Sequence, residues 1–123
     1  LSNAANRLVL YACTSGYPVE FKDVCLREIT RMKNLYIRCK GIGFSGHHLG
    51  IAVDMGAITL GAEYIERHFT LDRTWKGTDH AASLEPSGLM KLVRDSRAMV
   101  ESLSYKNSDI LDVELEQRNK FKK

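Results

Sequence analysis

Three short apolar segments that recur along the chain constrain its fold more than any other feature. They are LVLYA at 8–12, GIGF at 41–44 and EYIERHF at 63–69, and turn-forming residues follow each of them. After each turn comes a segment whose apolar residues recur at helical spacing. Because strands and helices alternate in this order, we expect an α/β fold with a parallel sheet and right-handed crossovers.

End signals and apolar spacing predict where the helices lie. Asp23 can cap the first helix, Gly61 closes the second, and Pro86 suits the first turn of the third. The apolar positions are Leu26, Ile29 and Met32 in the first helix, Ile51, Met55 and Ile58 in the second, and Leu89, Leu92, Val93 and Val100 in the third. Beyond residue 104 the helical pattern weakens. We interpret the basic end of the chain as a solvated linker or the start of a further segment.

Composition narrows the class of protein. The chain has 123 residues, which suits one domain or a piece of a larger one, and its net charge of +3 is too weak to indicate nucleic-acid binding. No apolar run approaches the roughly 20 residues that a membrane span needs. Three cysteines without a CxxC spacing suit a reducing compartment. We therefore expect a cytoplasmic protein without membrane or nucleic-acid partners.

Two histidines follow neighbouring strands of the predicted sheet. His47 comes after the second apolar segment and His68 ends the third. Parallel strands lie about 4.8 Å apart and gather ligands at their carboxyl ends, so the two imidazoles can converge on one divalent metal ion. Asp79, on the loop after His68, can add a carboxylate directly or through a water. The alternative is a pair of histidines that are merely hydrogen-bonded at a sheet edge.

Several polar residues in the same loops are further candidates. Ser15 and Tyr17 follow the first strand and can hydrogen-bond a substrate, although Tyr-Pro is also an ordinary turn. Ser45 lies in a loop with two glycines, where hydroxyl and backbone N–H groups can hold a phosphate. Trp75 and Lys76 either line a pocket or belong to a surface loop.

Three residues near the histidines have a weaker claim to function. His48 is interpreted as structural or solvent-facing, because it points away from His47. Glu66 shares a strand face with His68, so inside a barrel it either tunes the site or ligates weakly, or it forms a buried ion pair with a basic residue. Cys13 is interpreted as a small buried apolar residue.

The motifs CTSGYP, GFSGHHLGIAV and LGAEYIERHFTLDRTWKGTDHAASLEP, in this order and spacing, resemble the sialic acid synthase (N-acetylneuraminate synthase) family. The resemblance covers residues 8 to about 103, and the third motif is the most specific. Members are (β/α)₈ TIM barrels followed by a small antifreeze-like domain. The resemblance implies that residues 1–105 form the C-terminal part of the barrel, about three βα units containing its last three strands. Residues 106–123 would then lead toward a further C-terminal domain.

The resemblance also implies an activity. Family members condense phosphoenolpyruvate with N-acetylmannosamine or its 6-phosphate, giving N-acetylneuraminate or its 9-phosphate, and they need a divalent metal such as Mn²⁺ or Mg²⁺. The resemblance implies that His47 and His68 are the metal ligands. It implies that Asp79 contacts metal-bound water and the acceptor sugar, and that Tyr17 contacts the sugar. Ser15 and Ser45 would lie near the phosphoenolpyruvate phosphate. Many relatives have asparagine at the position of Ser15.

Two departures from the bacterial pattern bear on the acceptor. Many bacterial members read SDH where this chain has Ser45-Gly46-His47, and Pro-Gly-Pro-Asp where it has residues 76–79. The Gly-His and TWKG versions are similar to members, including animal ones, that accept the 6-phosphorylated sugar. We therefore expect Lys76 to help hold the extra phosphate charge.

Three βα units cannot close an eight-stranded barrel, because strand number, tilt and stagger are linked. Other phosphate-binding groups of the family come from the first half of the barrel and from the antifreeze-like domain. We therefore expect the isolated chain to be inactive, and to self-associate or be completed by the missing barrel half. Two alternatives remain: a non-catalytic module that binds metal or sugar phosphate, and a purely structural α/β domain.

Overall fold

The computed structural model of the chain describes residues 3–122, and strands and helices alternate in them as the sequence predicts. The strands are β1 (Val9–Cys13), β2 (Gly41–Gly46) and β3 (Tyr64–Arg67), and the helices are α1 (Arg27–Leu35), α2 (Ala52–Thr59), α3 (Pro86–Ser102) and α4 (Asp112–Phe121). Short 3₁₀ turns cover Ala5–Arg7 and Phe21–Asp23. The strands form one parallel sheet in the order β1-β2-β3. The predicted α/β fold is confirmed.

One face of the sheet packs against helices and forms the core. Alternate residues of a strand point to opposite faces, so the apolar residues of each strand collect on one side. Side chains that build this core include Leu10 and Ala12 of β1, Ile42 and Phe44 of β2, Ile65 of β3, Ile29 of α1 and Ala57 of α2. Ile29 and Ala57 are fully buried. This packing fixes the positions of the carboxyl ends of the strands, where the candidate site lies.

On the opposite face, two tyrosine rings from the outer strands lie over glycines of the middle strand. A Cβ atom at Gly43 would lie 2.6 Å from Cε1 of Tyr11, and one at Gly41 would lie 2.8 Å from Cε2 of Tyr64. Real Cβ atoms essentially never come so close to another heavy atom. Glycine is therefore required at both positions as long as the rings occupy this space.

The start of α1 differs from the prediction. Asp23 ends a 3₁₀ turn instead of capping the helix, which begins only at Arg27. Cys25 stands between them with a φ of 55°, a left-handed conformation that an α-helix cannot contain. No side chain caps the helix at Leu26. The prediction that Asp23 caps this helix is wrong because the chain turns sharply at Cys25.

The other two helix ends follow their sequence signals. Pro86 occupies the first turn of α3. Gly61 has a φ of 104° after the end of α2, and its N–H donates to the carbonyl oxygen of Ile58 at 3.0 Å. The N–H of Ala62 donates to the carbonyl oxygen of Ala57 at 3.0 Å. These two bonds form a Schellman motif, which satisfies carbonyls that the helix leaves free.

The basic end of the chain contains a helix that the sequence analysis missed. Helix α4 has no buried residue, and the carboxylate of Glu114 accepts the N–H of Leu111 at 2.7 Å before its first turn. Residue 123, the end of the predicted linker, lies outside the described residues, as do residues 1 and 2. No helix within residues 3–122 combines the length and the apolar character that crossing a bilayer requires.

Candidate metal and substrate site

His47 and His68 come together at the carboxyl ends of β2 and β3, as the strand alternation predicts. His47 directly follows β2 and His68 directly follows β3. Their imidazole ring centres lie 5.2 Å apart, with 45° between the ring planes. The ring of Tyr17, on the β1–α1 loop, lies 4.6 Å from the ring of His47 and 5.7 Å from that of His68. The loops after all three strands therefore contribute one ring each to a single cluster.

Hydrogen bonds with the β1–α1 loop fix the orientation of the buried His47. Its Nδ1 lies 2.9 Å from the carbonyl oxygen of Thr14. Because a carbonyl oxygen only accepts, Nδ1 carries the proton and Nε2 keeps a free lone pair. The main-chain oxygen of His47 also accepts the N–H of Val19 at 2.9 Å. A histidine held to the backbone through one ring nitrogen is typical of metal-binding histidines.

Cys13 lies beside His47 at the end of β1. Its Sγ is 3.9 Å from Nδ1 of His47, and its side chain is exposed. The prediction that Cys13 is a buried apolar residue is wrong, because the residue points to the face of the sheet that no helix within residues 3–122 covers.

The separation of the two imidazole rings is compatible with one shared divalent transition metal. Metal–nitrogen bonds of about 2.1 Å place each ring centre about 3 Å from a shared ion, so two such rings lie about 5 Å apart. The observed separation of 5.2 Å meets this requirement. Within residues 3–122, no group of three or more His, Cys, Asp or Glu side chains is arranged to hold an ion. Two imidazoles would leave the other coordination positions to water and substrate.

The β3–α3 loop carries Lys76 and Asp79, and both side chains are exposed. The carboxylate of Asp79 accepts the Thr78 hydroxyl at 3.3 Å, and its main-chain oxygen accepts the Ser83 hydroxyl at 2.5 Å. Trp75 is 52% exposed, as expected of a surface loop. The structure does not bring Asp79 together with the histidines in one metal-holding group, so its roles and that of Lys76 stay predictions.

Hydrogen bonds anchor the base of this loop. The hydroxyl of the buried Thr70 lies 2.8 Å from Nδ1 of His80. Oδ1 of Asp72 accepts the Thr74 hydroxyl at 2.6 Å and the Thr74 N–H at 2.8 Å. These two bonds lower the pKa of the Asp72 carboxyl below its usual value. The tip that carries the candidate residues therefore extends from an ordered base.

Ser45 lies in β2, so the prediction that it belongs to a loop is wrong, and it faces Glu66 of β3. They are register partners in the parallel ladder, and the hydroxyl of the buried Ser45 donates to Oε1 of Glu66 at 2.8 Å. Among residues 3–122 no ion pair includes Glu66, so the described part of the chain supplies no basic partner for it. Ser15 is exposed in the β1–α1 loop. The proximity of Ser15 and Ser45 to a phosphate stays a prediction.

Below the histidine pair lies a buried charged network that the sequence analysis missed. His48 is fully buried, and its Nε2 lies 3.1 Å from Oδ2 of Asp54, which also accepts Nη1 of Arg67 at 2.7 Å. His48 is therefore structural, one of the two alternatives for it, and it does not face solvent. An acidic residue in the otherwise apolar segment IAVDMGAI was the available signal for this network.

The parallel βα units and the ring cluster at their strand ends define a segment of a β/α-barrel protein. The profile of the NeuB family matches residues 1–108, and the chain belongs to that family. It is 47% identical over 103 residues to the N-acetylneuraminate-9-phosphate synthase of Homo sapiens, a match that covers 84% of this chain and 28% of the human protein. It is also 37% identical over 111 residues to the N,N'-diacetyllegionaminic acid synthase of Legionella pneumophila, covering 88% of this chain and 31% of that protein.

A solved structure agrees with this assignment. The crystal structure of N-acetylneuraminic acid (sialic acid) synthetase from Leptospira borgpetersenii in complex with citrate superposes with a TM-score of 0.71 at 32% identity, over 93% of this chain and 39% of that one. The chain thus spans between 28% and 39% of the length of these relatives. The predicted family and the partial TIM barrel are confirmed. The domain boundary at residue 105 stays a prediction.

Proposed function

We propose that this chain forms the metal- and acceptor-binding end of a sialic acid synthase barrel. In that barrel phosphoenolpyruvate condenses with N-acetylmannosamine or its 6-phosphate to give N-acetylneuraminate or its 9-phosphate. The observation that carries the proposal is the His47–His68 pair, whose rings lie 5.2 Å apart at the ends of adjacent strands. The names of the similar human and Legionella proteins, both sugar-acid synthases, support the reaction class.

In this proposal His47 and His68 hold a divalent ion, Mn²⁺ or Mg²⁺. The bound ion would polarise the acceptor's aldehyde as a Lewis acid. His47 suits this role because its bond to Thr14 leaves Nε2 free to coordinate. The hydroxyl of Tyr17 and the carboxylate of Asp79 bind and orient the acceptor sugar.

Two serines and a lysine complete the proposed substrate contacts. Ser45, near the carboxyl end of β2, and Ser15, in the β1–α1 loop, would lie near the phosphoenolpyruvate phosphate. The exposed ammonium of Lys76 would pair with the 6-phosphate of the acceptor. We expect the chain to bind N-acetylmannosamine 6-phosphate more tightly than N-acetylmannosamine in NMR titrations, and Lys76→Gln to abolish the difference. Equal affinity for both sugars would contradict the proposal that the acceptor is the 6-phosphorylated sugar.

A metal titration tests the central claim. The electron paramagnetic resonance signal of free Mn²⁺ should fall as the chain is added. His47→Ala and His68→Ala should each weaken Mn²⁺ binding by about tenfold or more, because removal of even the hydrogen-bond partner of a metal ligand lowers metal affinity by about that factor. His80→Ala is the matched control, because His80 is bonded to Thr70 and lies outside the pair. The proposal fails if the unmodified chain leaves the Mn²⁺ signal unchanged, or if both variants bind Mn²⁺ like the unmodified chain.

The proposal includes a partner that completes the sheet. β1 and β3 are both edge strands in the order β1-β2-β3, and Tyr11, Cys13 and Glu66 are exposed on the uncovered face. Open edges present unpaired backbone N–H and C=O groups, which favour pairing with another strand. We expect the isolated chain to be inactive, and to self-associate or bind the remaining part of the barrel. The free cysteines Cys13, Cys25 and Cys39 suit the cytoplasmic setting that we propose for this reaction.

Sedimentation velocity over a wide concentration range tests whether copies of the chain associate. We expect a sedimentation coefficient that rises with protein concentration, since edge pairing between copies follows mass action. A folded monomer at every concentration would show that the open edges do not pair copies of this chain with one another.

A further inference from the structure

The guanidinium of Arg67 joins the two segments that carry the histidine pair. Arg67 immediately precedes His68, and its side chain is only 2% exposed. Its Nη2 donates to the main-chain oxygen of His48 at 2.7 Å, and its Nη1 donates to that of Gly50 at 2.7 Å. Both acceptors lie in the loop that directly follows His47. One side chain from the end of β3 therefore holds the loop after β2 in place.

Asp54, in the first turn of α2, holds the other side of this guanidinium. Its side chain is fully buried, and Oδ2 accepts Nη1 of Arg67 at 2.7 Å. The two hydrogens of Nη1 are thus taken by Gly50 and Asp54. His48 Nε2 lies 3.1 Å from both Oδ2 of Asp54 and Nη1 of Arg67, and because both Nη1 hydrogens are directed at oxygens, it is assigned as the donor to the carboxylate. The network links β3, the β2–α2 loop and α2 through fixed donors and acceptors.

Stability alone does not account for this network. Three of its buried atoms have no protein partner within the described part of the chain: His48 Nδ1, Asp54 Oδ1 and Arg67 Nε. An unpaired buried polar atom costs about 1–3 kcal/mol, and replacing a buried ion pair by apolar residues is often neutral or stabilising. What a guanidinium adds over an apolar side chain is orientation, because its planar fork fixes several acceptors at once.

We propose that Arg67 is a positioning residue that sets the spacing between His47 and His68, with Asp54 and His48 as its anchors. The proposal rests on the proposed metal-binding function and adds residues to it. Arg67 shares the backbone of β3 with His68 and holds the carbonyl group next to His47. A lysine cannot replace it, because an ammonium group is a point charge and cannot span acceptors on separate arms.

The test compares Arg67→Lys and Asp54→Asn with a control, Arg94→Lys. Arg94 lies on α3, where its Nε pairs with Asp95 at an exposed position. Two readouts are taken on folded protein, as verified by circular dichroism. The first is the set of nuclear Overhauser effects among the ring protons of His47, His68 and Tyr17 in metal-free protein. The second is the Mn²⁺ affinity from electron paramagnetic resonance.

We expect both network variants to weaken the ring-to-ring Overhauser effects and to lower Mn²⁺ affinity about tenfold. This is the lower end of the losses in metal affinity that follow mutation of residues that orient metal ligands. The control should change neither. Arg67→Lys protein with intact Overhauser effects and Mn²⁺ affinity would overturn the proposal. If Arg67→Lys does not fold, Asp54→Asn decides by the same criteria, since the amide keeps the volume and one acceptor. If the unmodified chain binds no Mn²⁺, the metal function fails, while the Overhauser effects still decide whether Arg67 positions the rings.

Discussion

Replacement of Gly46 by alanine should disturb the buried histidine beside the candidate site. Gly46 ends β2, and a Cβ atom there would lie 2.6 Å from Cε1 of His48, 2.8 Å from its Nδ1 and 2.9 Å from Cε2 of Phe44. His48 is 0% exposed and Phe44 is 2% exposed, so neither ring can rotate into solvent. The added methyl group must therefore displace two packed rings.

The magnitude follows from packing and hydrogen bonding. Adding a methyl group to a filled core costs about 1–3 kcal/mol. Moving His48 also strains its 3.1 Å bond to Asp54, and a hydrogen bond of this kind contributes about 1 kcal/mol net. We expect Gly46→Ala to lower the free energy of unfolding by about 2–4 kcal/mol, a large part of the 5–15 kcal/mol typical of a domain. Urea unfolding followed by circular dichroism at constant protein concentration measures this loss.

A double-mutant cycle tests the cause. In a His48→Ser background the imidazole is absent, so Gly46→Ala should cost at least about 1 kcal/mol less than in the unmodified chain. Gly88→Ala on α3 is the control, because its Cβ would lie 3.5 Å from Leu84 Cδ2, an ordinary contact, and alanine favours a helix by about 1 kcal/mol. An equal cost of Gly46→Ala in both backgrounds would refute the reasoning.

Three further predictions concern the core, the β3–α3 loop and α4. Ile29 is fully buried, so Ile29→Ala should lower the free energy of unfolding by about 2–5 kcal/mol in urea titrations, and a loss below about 1 kcal/mol would contradict its place in the core. Thr74→Ala should raise the pKa of Asp72 toward its usual value in a ¹³C NMR titration. Because the folded pKa is lowered, the stabilisation by Thr74 is present above the unfolded pKa and is lost as pH falls through the folded one. Glu114→Ala removes the acceptor of the Leu111 N–H and should reduce the helical circular dichroism signal; an unchanged signal would exclude that cap.

Much of the fold could be predicted from the sequence because local and tertiary signals agree in it. Pro86 and Gly61 mark helix ends through properties of their own backbone, which the rest of the protein does not alter. The helix start at Arg27 could not be predicted, because the left-handed turn before it occurs at Cys25, a residue type that does not favour this conformation. Helix α4 buries no residue, so it lacks the apolar stripe that reveals a helix in a sequence.

The arrangement of the candidate site could also be predicted only in part. The meeting of His47 and His68 could be predicted, because strand alternation and parallel pairing decide which side chains share a face. The network around Arg67 could not, because its partners lie 13 and 19 residues away in sequence and no periodic pattern relates them. The exposure of Cys13 also depends on which face of the sheet the helices cover, and the sequence of one strand does not show which face that is.

Two glycines of β2 have a practical consequence for redesign of the uncovered face of the sheet. Since Gly41 and Gly43 present no side chain, the rings of Tyr11 and Tyr64 occupy the space above them. Substitutions on this face would therefore gain little from diversity at Gly41 and Gly43 alone, where any larger residue collides with a tyrosine ring. Trimming a tyrosine first would open volume that substitutions at the glycines could then fill.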